Sequence, residues 1–274
     1  MPDASSAETA AAGAAAVAGR SGGPSGPPVE GSAGESGPPA GTGELPLSIA
    51  ARAVMMACGF IPLLHLVAAL VPLVIVARGV AGSGVLLLTL MALYLLPATV
   101  VGVAVRVRPL ARGAVAPGSA AFLWWWFTAQ WQVLFARLPC LEELLRVVPG
   151  LYSLWLRIWG ARVGSLVYWS PGVSITDRSL VRIGDRVVFG LGVRLNPHVM
   201  APGPDGRQRL YLAPIQIGSD ALVGGYSLVL AGCQIAGGEA TPPLRTLHAF
   251  TRFAGGGRLR REGPDGVSPP EDAR

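Results

Sequence analysis

The sequence predicts a parallel β-helix that follows two apolar helices and a low-complexity tail. Three observations support this prediction. An apolar residue returns every sixth position through much of residues 163–239, two long runs without charge precede that stretch, and the first 44 residues contain few aliphatic side chains. The composition agrees, because 51% of the 274 residues are hydrophobic, a high fraction for an ordinary soluble protein.

The six-residue period has three sets of apolar anchors. They are Val163, Trp169 and Ile175; Ile183, Phe189 and Leu195; and Ile217, Val223, Val229 and Ile235. A helix or a hairpin would spread these anchors over several faces, whereas one short strand and a turn per six residues aligns them in a stack. Three such units close a coil, so the ten anchors predict about three coils within residues 163–240. Glycines directly after an anchor, such as Gly190 and Gly224, suit turns that need a permissive backbone.

The two ends of the chain have little that could form a core. Residues 1–44 are rich in Ala, Gly, Pro and Ser, which predicts a disordered tail. We do not expect a signal peptide, because the first long apolar run begins only at Ala53. Residues 241–274 are predicted to form a terminal wrap and a second disordered tail.

Two uncharged runs predict a transmembrane hairpin within residues 45–112. Each run is long enough to cross a bilayer, so we expect helices at about 53–77 and 84–105. His65 lies in the first of them, and we expect it to have a passive place there rather than a role as an intramembrane functional site.

Arginine placement predicts the orientation of this hairpin. Arg52 precedes the first run, only Arg78 lies in the connecting turn, and Arg106, Arg108 and Arg112 follow the second run. By the positive-inside rule both termini are cytoplasmic. The prediction is therefore a multi-pass inner-membrane protein whose β-helix faces the cytoplasm.

Residues 113–162 are dense in tryptophan, with spaced arginines. The tryptophans are Trp124, Trp125, Trp126, Trp131, Trp155 and Trp159. This composition favours amphipathic helices in the membrane interface, with Arg137, Arg146 and Arg157 reaching lipid phosphates. A third span at about 120–136 and packing against the β-helix are the alternatives, and Gln130 and Gln132 argue against the span.

The chemistry is expected where the repeat breaks after Leu195. The following NPHVMAPGPDGRQRLYLAP contains proline and PDG turn signals, which predict a loop that leaves the coil rather than a strand. His198 lies at its base and is the candidate general base, because an imidazole titrates near neutrality. Asn196, two residues earlier, is expected to orient His198 or the acceptor.

Composition weighs against two other classes of site. All 22 basic residues are Arg in a chain also rich in Ala, Gly and Pro, which indicates a GC-rich bacterial genome and gives little support to nucleic-acid binding. The three cysteines are widely spaced without a CxxC pair, so neither a disulfide framework nor a zinc knuckle is predicted.

The segments IGDRVVFGLGV at 183–193 and IGSDALVGGYSLVLAG at 217–232 resemble the hexapeptide-repeat acyltransferases. This resemblance implies a left-handed β-helix, a homotrimer, an essential His at the place of His198, and acyl transfer from a coenzyme A thioester to a hydroxyl or amine. Acetyl-CoA would be a co-substrate, with no permanently bound cofactor. The chain departs from the family at Ala231-Gly232, where Pro-Gly is usual, and in a repeat that fades after Ile235.

The resemblance also implies a place for coenzyme A along the groove between neighbouring β-helices. The segment that matches is Gly224, Gly225, Tyr226 and Ser227. A backbone N–H there would hold the tetrahedral oxyanion. Loop arginines Arg207 and Arg209, or Arg258, Arg260 and Arg261 near the end, would pair with the phosphates of coenzyme A.

Three functions compete at this point. The first is an acyltransferase acting at the membrane on a small molecule, a lipid-linked glycan or another envelope precursor. The second is a catalytically degenerate β-helix that scaffolds a membrane complex. The third is a γ-type carbonic anhydrase, which needs three His ligands per zinc, whereas only His198 and His248 lie outside the predicted spans. For His248 in the terminal wrap we expect a structural place.

Overall fold

The computed structural model describes residues 47–79 and 83–260. The tail predicted at residues 1–44 lies outside the described residues, as does the chain after residue 260. Helices make up the first half of the described part and a stack of short strands the second. Hydroxyls of Ser48 and Ser119 cap two of the helices by accepting hydrogen bonds from the backbone N–H groups of Ala51 and Phe122.

The helices occupy residues 49–158. They are α1 Ile49–Gly59, α2 Ile61–Ala77, α3 Ser83–Leu90, α4 Leu96–Val107, α5 Ala120–Gln130, α6 Val133–Arg137, α7 Cys140–Arg146 and α8 Leu151–Ile158, with a π-helical segment Met91–Leu95 between α3 and α4. Together these elements form two apolar helical runs of membrane-spanning length. The first, Ile49–Ala77, contains α1 and α2, and the second, Gly84–Val107, contains α3, the π-helical segment and α4. Both are longer than the predicted spans, and their length and composition alone are compatible with crossing a bilayer.

One polar contact joins the two apolar helices. His65 is buried, and its Nε2 lies 2.9 Å from the carbonyl oxygen of Leu93. Leu93 belongs to the π-helical segment, whose hydrogen-bond pattern differs from that of the flanking α-helices. His65 therefore lies between the two helices, and its passive role stays a prediction.

The β-helix contains short strands stacked mostly in parallel. The strands are β1 Gly113–Val115, β2 Arg162–Val163, β3 Tyr168–Trp169, β4 Ser174–Ile175, β5 Val181–Ile183, β6 Val188–Phe189, β7 Arg194–Asn196, β8 His198–Pro202, β9 Gln208–Leu212, β10 Ile215–Ile217, β11 Leu222–Val223, β12 Leu228–Leu230, β13 Gln234–Ile235, β14 Thr246–Leu247, β15 Thr251–Ala254 and β16 Gly257–Arg260.

Three parallel sheets form the three faces of the β-helix. The first face has the order β2-β5-β10-β13-β15, the second β3-β6-β11, and the third β4-β7-β12-β14. The predicted anchors stand opposite one another in successive coils, as Ile183 does to Ile217 and Leu195 to Val229. Every anchor except the half-buried Trp169 is buried. The parallel β-helix predicted from the period is therefore confirmed, whereas its left hand stays a prediction.

Close stacking, rather than an unusual backbone angle, explains the glycines that follow the anchors. A Cβ atom added to Gly190 would lie 2.5 Å from the backbone nitrogen of Gly225, and one added to Gly224 would lie 2.5 Å from the carbonyl carbon of Pro242. Neither glycine is among those with positive φ. The expectation of a permissive backbone was wrong here, because these positions need space for the next coil.

The stack extends beyond the predicted boundary at residue 240. Thr241, Leu247 and Phe253 continue the six-residue spacing after Ile235 and are buried, and β14 and β15 pair in parallel with β12 and β13. The described strands make four coils and the first strand of a fifth, so the predictions of about three coils and of a terminal wrap from 241 were wrong. Thr241 concealed the period because it is polar, but its hydroxyl accepts a hydrogen bond from the Gly224 N–H at 3.0 Å.

The break after Leu195 is a β-hairpin rather than a loop. Strands β8 and β9 pair antiparallel, and β1 adds to β9 from the other side. A short turn closes the hairpin through a hydrogen bond from the Gly203 N–H to the Arg207 carbonyl, at 2.8 Å. The sequence prediction missed this because β1 is more than 80 residues upstream of the segment that it pairs with.

The tryptophan-rich helices pack against the β-helix, which was one of the alternatives. Trp125, Trp155 and Trp159 expose only 7%, 2% and 0% of their surface. Two of the three arginines expected at lipid phosphates have partners inside the protein. Arg146 forms an ion pair with Glu142, and Arg157 donates to the carbonyls of Val163 and Gly164.

Candidate active site

A histidine and an aspartate meet where the hairpin leaves the coil. Asp177 follows β4 in the first coil, and His198 begins β8 after the corresponding strand of the second coil. Nδ1 of His198 makes a short contact with Oδ2 of Asp177. The Asp177 side chain is 1% exposed and that of His198 is 29% exposed. The pair is therefore anchored inside the protein at its carboxylate and open toward the surface at its imidazole.

Trp125 of α5 completes this cluster from the helical layer. Its indole Nε1–H donates to the second oxygen of Asp177 at 2.8 Å. Its ring also lies edge-on to the imidazole of His198, with 5.2 Å between the centroids. Both carboxylate oxygens of Asp177 are thus engaged, and the apolar indole ring covers one side of the imidazole.

A buried ionic network fixes the turn that carries Asp177. The next residue, Arg178, is 1% exposed, and its backbone N–H and its Nη1 both donate to Oε1 of Gln132 at 3.0 Å. Its Nη2 forms an ion pair with Glu142. Asp177 itself has a left-handed backbone, with φ 45° and ψ 56°. Asp adopts this conformation more readily than most residues, and other non-glycine residues of the coils, such as Arg186 and Asp220, share it.

Glu142 gathers several donors around one carboxylate. Besides Arg178, it accepts from Arg146 at 3.0 Å and from the hydroxyl of Tyr152 at 2.6 Å. Burial and the charge of Glu142 raise the pKa of Tyr152, so the phenol remains a hydrogen-bond donor. The guanidinium of Arg178 also lies 5.2 Å from the ring centroids of Trp155 and Trp159. This network connects the helical layer, formed by helices α5, α6, α7 and α8, to the first coil.

The pKa of His198 follows from two opposing effects. Burial acts to lower it, but the hydrogen bond and the negative charge of Asp177 act against burial and raise the pKa above the usual value. With Nδ1 held by the carboxylate, a neutral imidazole has its lone pair on Nε2. An imidazole held in this way can take a proton from a nucleophile that approaches Nε2.

Of the other predicted site residues, Asn196 lies beside this pair, whereas the two hairpin arginines lie farther along the hairpin. Asn196 is 3.5 Å from the hydroxyl of Thr176, through its Oδ1, so the partner found for His198 is Asp177 and not Asn196. In the hairpin, Arg209 pairs with Asp205 at 3.0 Å, and Arg207 is exposed in the turn.

The predicted coenzyme A segment and His198 lie at opposite ends of the third face. Leu230 stands across from Asn196 in the β12–β7 pair, and Tyr226 is four residues earlier, or about 13 Å at about 3.3 Å per residue. Two backbone N–H groups of the coenzyme A segment already have partners within the stack. Gly224 donates to the hydroxyl of Thr241, and Tyr226 donates to the carbonyl of Leu191. Ser227 is buried. One chain therefore does not bring residues 224–227 beside His198.

Sequence reasoning missed Asp177 and Trp125. The available signal for Asp177 was a slip in the repeat: Ile175 and Ile183 are eight residues apart instead of six, and TDRSL lies between them. Such an insertion, one coil before the candidate base, marks a second departure from the coil at the same corner. Trp125 gave no comparable signal, because its neighbours Trp124 and Trp126 are chemically identical to it.

Comparisons with known proteins give distant likenesses to solved structures. No protein-family model and no curated protein sequence matches the chain. A hexapeptide-repeat acetyltransferase from Vibrio cholerae O1 biovar eltor, solved with acetyl coenzyme A, is 16% identical with a TM-score of 0.34, over 46% of this chain and 84% of that one. A maltose O-acetyltransferase from Clostridium difficile 630 is 12% identical with a TM-score of 0.21, over 43% and 79%.

Soybean serine acetyltransferase is 17% identical with a TM-score of 0.22, over 77% of this chain and 84% of that one. At these identities and TM-scores the likenesses assign no activity to this chain.

Proposed function

We propose that the protein is an acyltransferase that uses His198 as general base and an acyl-CoA, most simply acetyl-CoA, as donor. Nε2 of His198 takes the proton of an acceptor hydroxyl or amine while that atom attacks the thioester carbonyl. The tetrahedral intermediate then breaks its carbon–sulfur bond, and the thiolate of coenzyme A leaves with the proton that His198 returns. Asp177 stabilises the imidazolium that exists between these two steps.

The observation that carries the proposal is the Asp177–His198 pair. A histidine with a merely structural place needs no buried carboxylate on Nδ1 and no exposed surface, whereas this one has both. The pair also lies beside the β8–β9 hairpin, where a substrate can approach from solvent. The resemblance of the repeat segments to the hexapeptide-repeat acyltransferases points to the same chemistry.

Release of free coenzyme A thiol tests the proposal. The purified full chain is incubated with a panel of acyl-CoAs and membrane extract, and His198→Ala is compared with His248→Ala. Loss of a general base slows a reaction by about a hundredfold to ten-thousandfold, so His198→Ala should be nearly inactive and His248→Ala should keep most activity. Normal turnover by His198→Ala would overturn the assignment.

We infer further that the active site is completed between copies of the chain, in a homotrimer. The distance between residues 224–227 and His198 supports this, because a groove shared by neighbours would bring them together. So does an exposed apolar row on the second face, where Tyr168, Val188 and Leu222 are in register and 61%, 37% and 44% exposed. A detergent-corrected mass equal to one chain at high concentration would contradict the trimer.

A membrane location is the third part of the proposal. The two apolar helices and the arginines around them support an inner-membrane hairpin with both ends and the β-helix in the cytoplasm. This place favours a lipid-linked or envelope-related acceptor. Carbonate extraction and reporter fusions at both termini test it, and extraction of the protein into the soluble fraction would contradict it.

The scaffold alternative predicts that no acyl-CoA is bound or cleaved, so a lack of thiol release by the unaltered protein with every acceptor would favour it.

The zinc alternative has no supporting site among residues 47–79 and 83–260, where no group of three or more His, Cys, Asp or Glu is arranged to hold a metal ion.

A further inference from the structure

Arginines and glutamines form a continuous polar row on the outside of the first face. Arg162 stands opposite Arg182, followed in register by Gln216, Gln234 and Arg252 on successive strands. Neighbouring strands in a sheet are about 4.8 Å apart, so these polar side chains are stacked closely. Each points away from the buried anchors next to it in sequence.

Two adjoining cavities connect this row to the end of α4. One, of about 600 Å³, is lined by Arg112, Arg162, Arg182 and Arg252. The other, of about 480 Å³, is lined by Arg106 and again by Arg112, Arg162 and Arg182. We call Arg106, Arg112, Arg162, Arg182 and Arg252 the arginine cluster. Neither His198 nor Asp177 is among the residues that line these cavities.

The arginine cluster has no neutralising carboxylate among the described residues. The acidic side chains of residues 47–79 and 83–260 all have partners elsewhere. These residues are Glu142 and Glu143 with Arg146, Asp177 with His198, Asp185 with Ser165, Asp205 with Arg209, Asp220 with Arg186, and Glu239 with the backbone of Gly256.

Positive charges lie close together within the cluster. Burial, followed by the positive charges of Arg162 and Arg112, lowers the pKa of Arg182. Nη1 of Arg182 donates to the carbonyls of Ser179 and Val181, and an anion bound between the arginines would offset their mutual repulsion. Guanidinium groups bind phosphate oxygens in a planar, two-pronged geometry, so the chemistry favours a phosphate.

The fold holds this cluster at one end of the apolar hairpin. Val105, Pro109 and Leu110, at and just after the last turn of α4, form a wall of the second cavity together with the arginines. Gly102 of α4 touches the backbone of Ile158 in α8, and a Cβ atom there would overlap the Ile158 carbonyl oxygen. This close contact fixes α4 against the layer that carries the β-helix. With the hairpin inserted in a bilayer, the cluster therefore lies at the level of the lipid headgroups.

We propose that the arginine cluster binds the phosphate of an anionic membrane lipid. The proposal rests on the membrane location inferred above. It assigns the lipid phosphate to the first face, apart from the acyl-transfer site at the Asp177–His198 pair. A bound headgroup would neutralise the cluster and hold the β-helix at the bilayer surface in one orientation.

Calorimetric titration of the purified full chain in an uncharged detergent tests this assignment. The probes are water-soluble dihexanoyl phosphatidylglycerol and, as its zwitterionic counterpart, dihexanoyl phosphatidylcholine, with coenzyme A and inorganic phosphate as separate arms. The test variant is Arg112→Gln/Arg162→Gln, because both side chains are exposed and line both cavities. The matched control is Arg194→Gln/Arg245→Gln, which removes two exposed arginines elsewhere on the β-helix.

We expect saturable binding of dihexanoyl phosphatidylglycerol but not of dihexanoyl phosphatidylcholine. Binding of the phosphatidylglycerol should be about tenfold or more weaker in the test variant and unchanged in the control. Equal weakening in both variants would show general charge attraction and overturn the proposal. Loss of coenzyme A binding in the test variant, with lipid binding retained, would assign the cluster to the coenzyme instead. Tighter binding of inorganic phosphate than of the lipid would assign it to a soluble anion.

These measurements need neither acyl transfer nor a bilayer, so they separate this proposal from the proposed function. Lipid binding that depends on the cluster in a protein that releases no coenzyme A thiol would refute the acyltransferase alone. Thiol release by a protein whose lipid binding ignores the cluster would refute the lipid site alone.

Discussion

The interior of the β-helix and the junction between its first coil and the helical layer are built from different chemistry. In the interior, apolar anchors such as Phe189 and Leu195 are 0% exposed and stack on equivalent anchors of the next coil. At the junction, the buried residues include Arg178, Glu142 and Asp177, held by hydrogen bonds and ion pairs. The interior repeats one local rule, whereas the junction depends on partners distant in sequence. The candidate base lies on the border between the two.

This difference separates stability from chemistry. Each coil is stabilised because it covers the apolar interior of its neighbour, and any apolar side chain of suitable size serves that purpose. Buried charges at the junction add little stability over an apolar replacement. They do fix the position of Asp177, and through it the imidazole of His198.

The largest effect on stability is expected at the junction, from Arg178→Met. The substitution leaves Glu142 buried with one cation fewer, and breaking a buried ion pair costs about 3–5 kcal/mol. Denaturant unfolding in detergent, followed by tryptophan fluorescence, measures it. Arg194→Met, on the exposed side of the third face, should change stability by no more than about 0.5 kcal/mol. Equal stability of the two variants would mean that the network does not hold the junction.

A smaller effect is expected in the stack, from Gly190→Ala. The added methyl group would lie 2.5 Å from the backbone nitrogen of Gly225, so the two coils must separate, at a cost of about 1–3 kcal/mol. The same unfolding assay compares it with Gly59→Ala, where no atom lies within 4 Å of an added Cβ. A Gly190→Ala protein as stable as the unaltered chain would show that the coils tolerate looser stacking.

The fold was predictable where its cause is local and repetitive. Period six identified the anchors from Val163 to Ile235, and uncharged length identified the two apolar helices. The prediction stopped too early at 240 because Thr241 satisfies the stack through a hydroxyl rather than an apolar side chain. The hairpin was missed because β1 comes from far upstream.

In the candidate site, His198 was predictable from the break in the repeat. Its partner Asp177 is 21 residues away and was visible only as a slip in spacing.

A further prediction concerns the contribution of the helical layer to the candidate site. Trp125→Phe keeps an aromatic ring beside His198 but removes the hydrogen bond to Asp177. We expect kcat to fall about tenfold, the equivalent of one hydrogen bond to a charged group, with little change in KM. Thiol release measures both constants. Trp124→Phe is the control, because its indole N–H donates instead to the carbonyl of Arg108. Equal kcat values for the two variants would contradict a positioning role for Trp125.

The pH dependence of kcat/KM in Asp177→Asn tests most directly whether Asp177 tunes His198 as a base. In the unaltered protein Asp177 raises the pKa of His198, so activity should rise with pH through a midpoint above about 6.5 as the imidazolium loses its proton. Without the carboxylate, burial dominates and lowers that pKa. The midpoint of Asp177→Asn should therefore move to lower pH, while its plateau falls by about a hundredfold to ten-thousandfold. An unchanged midpoint with an unchanged plateau would contradict it.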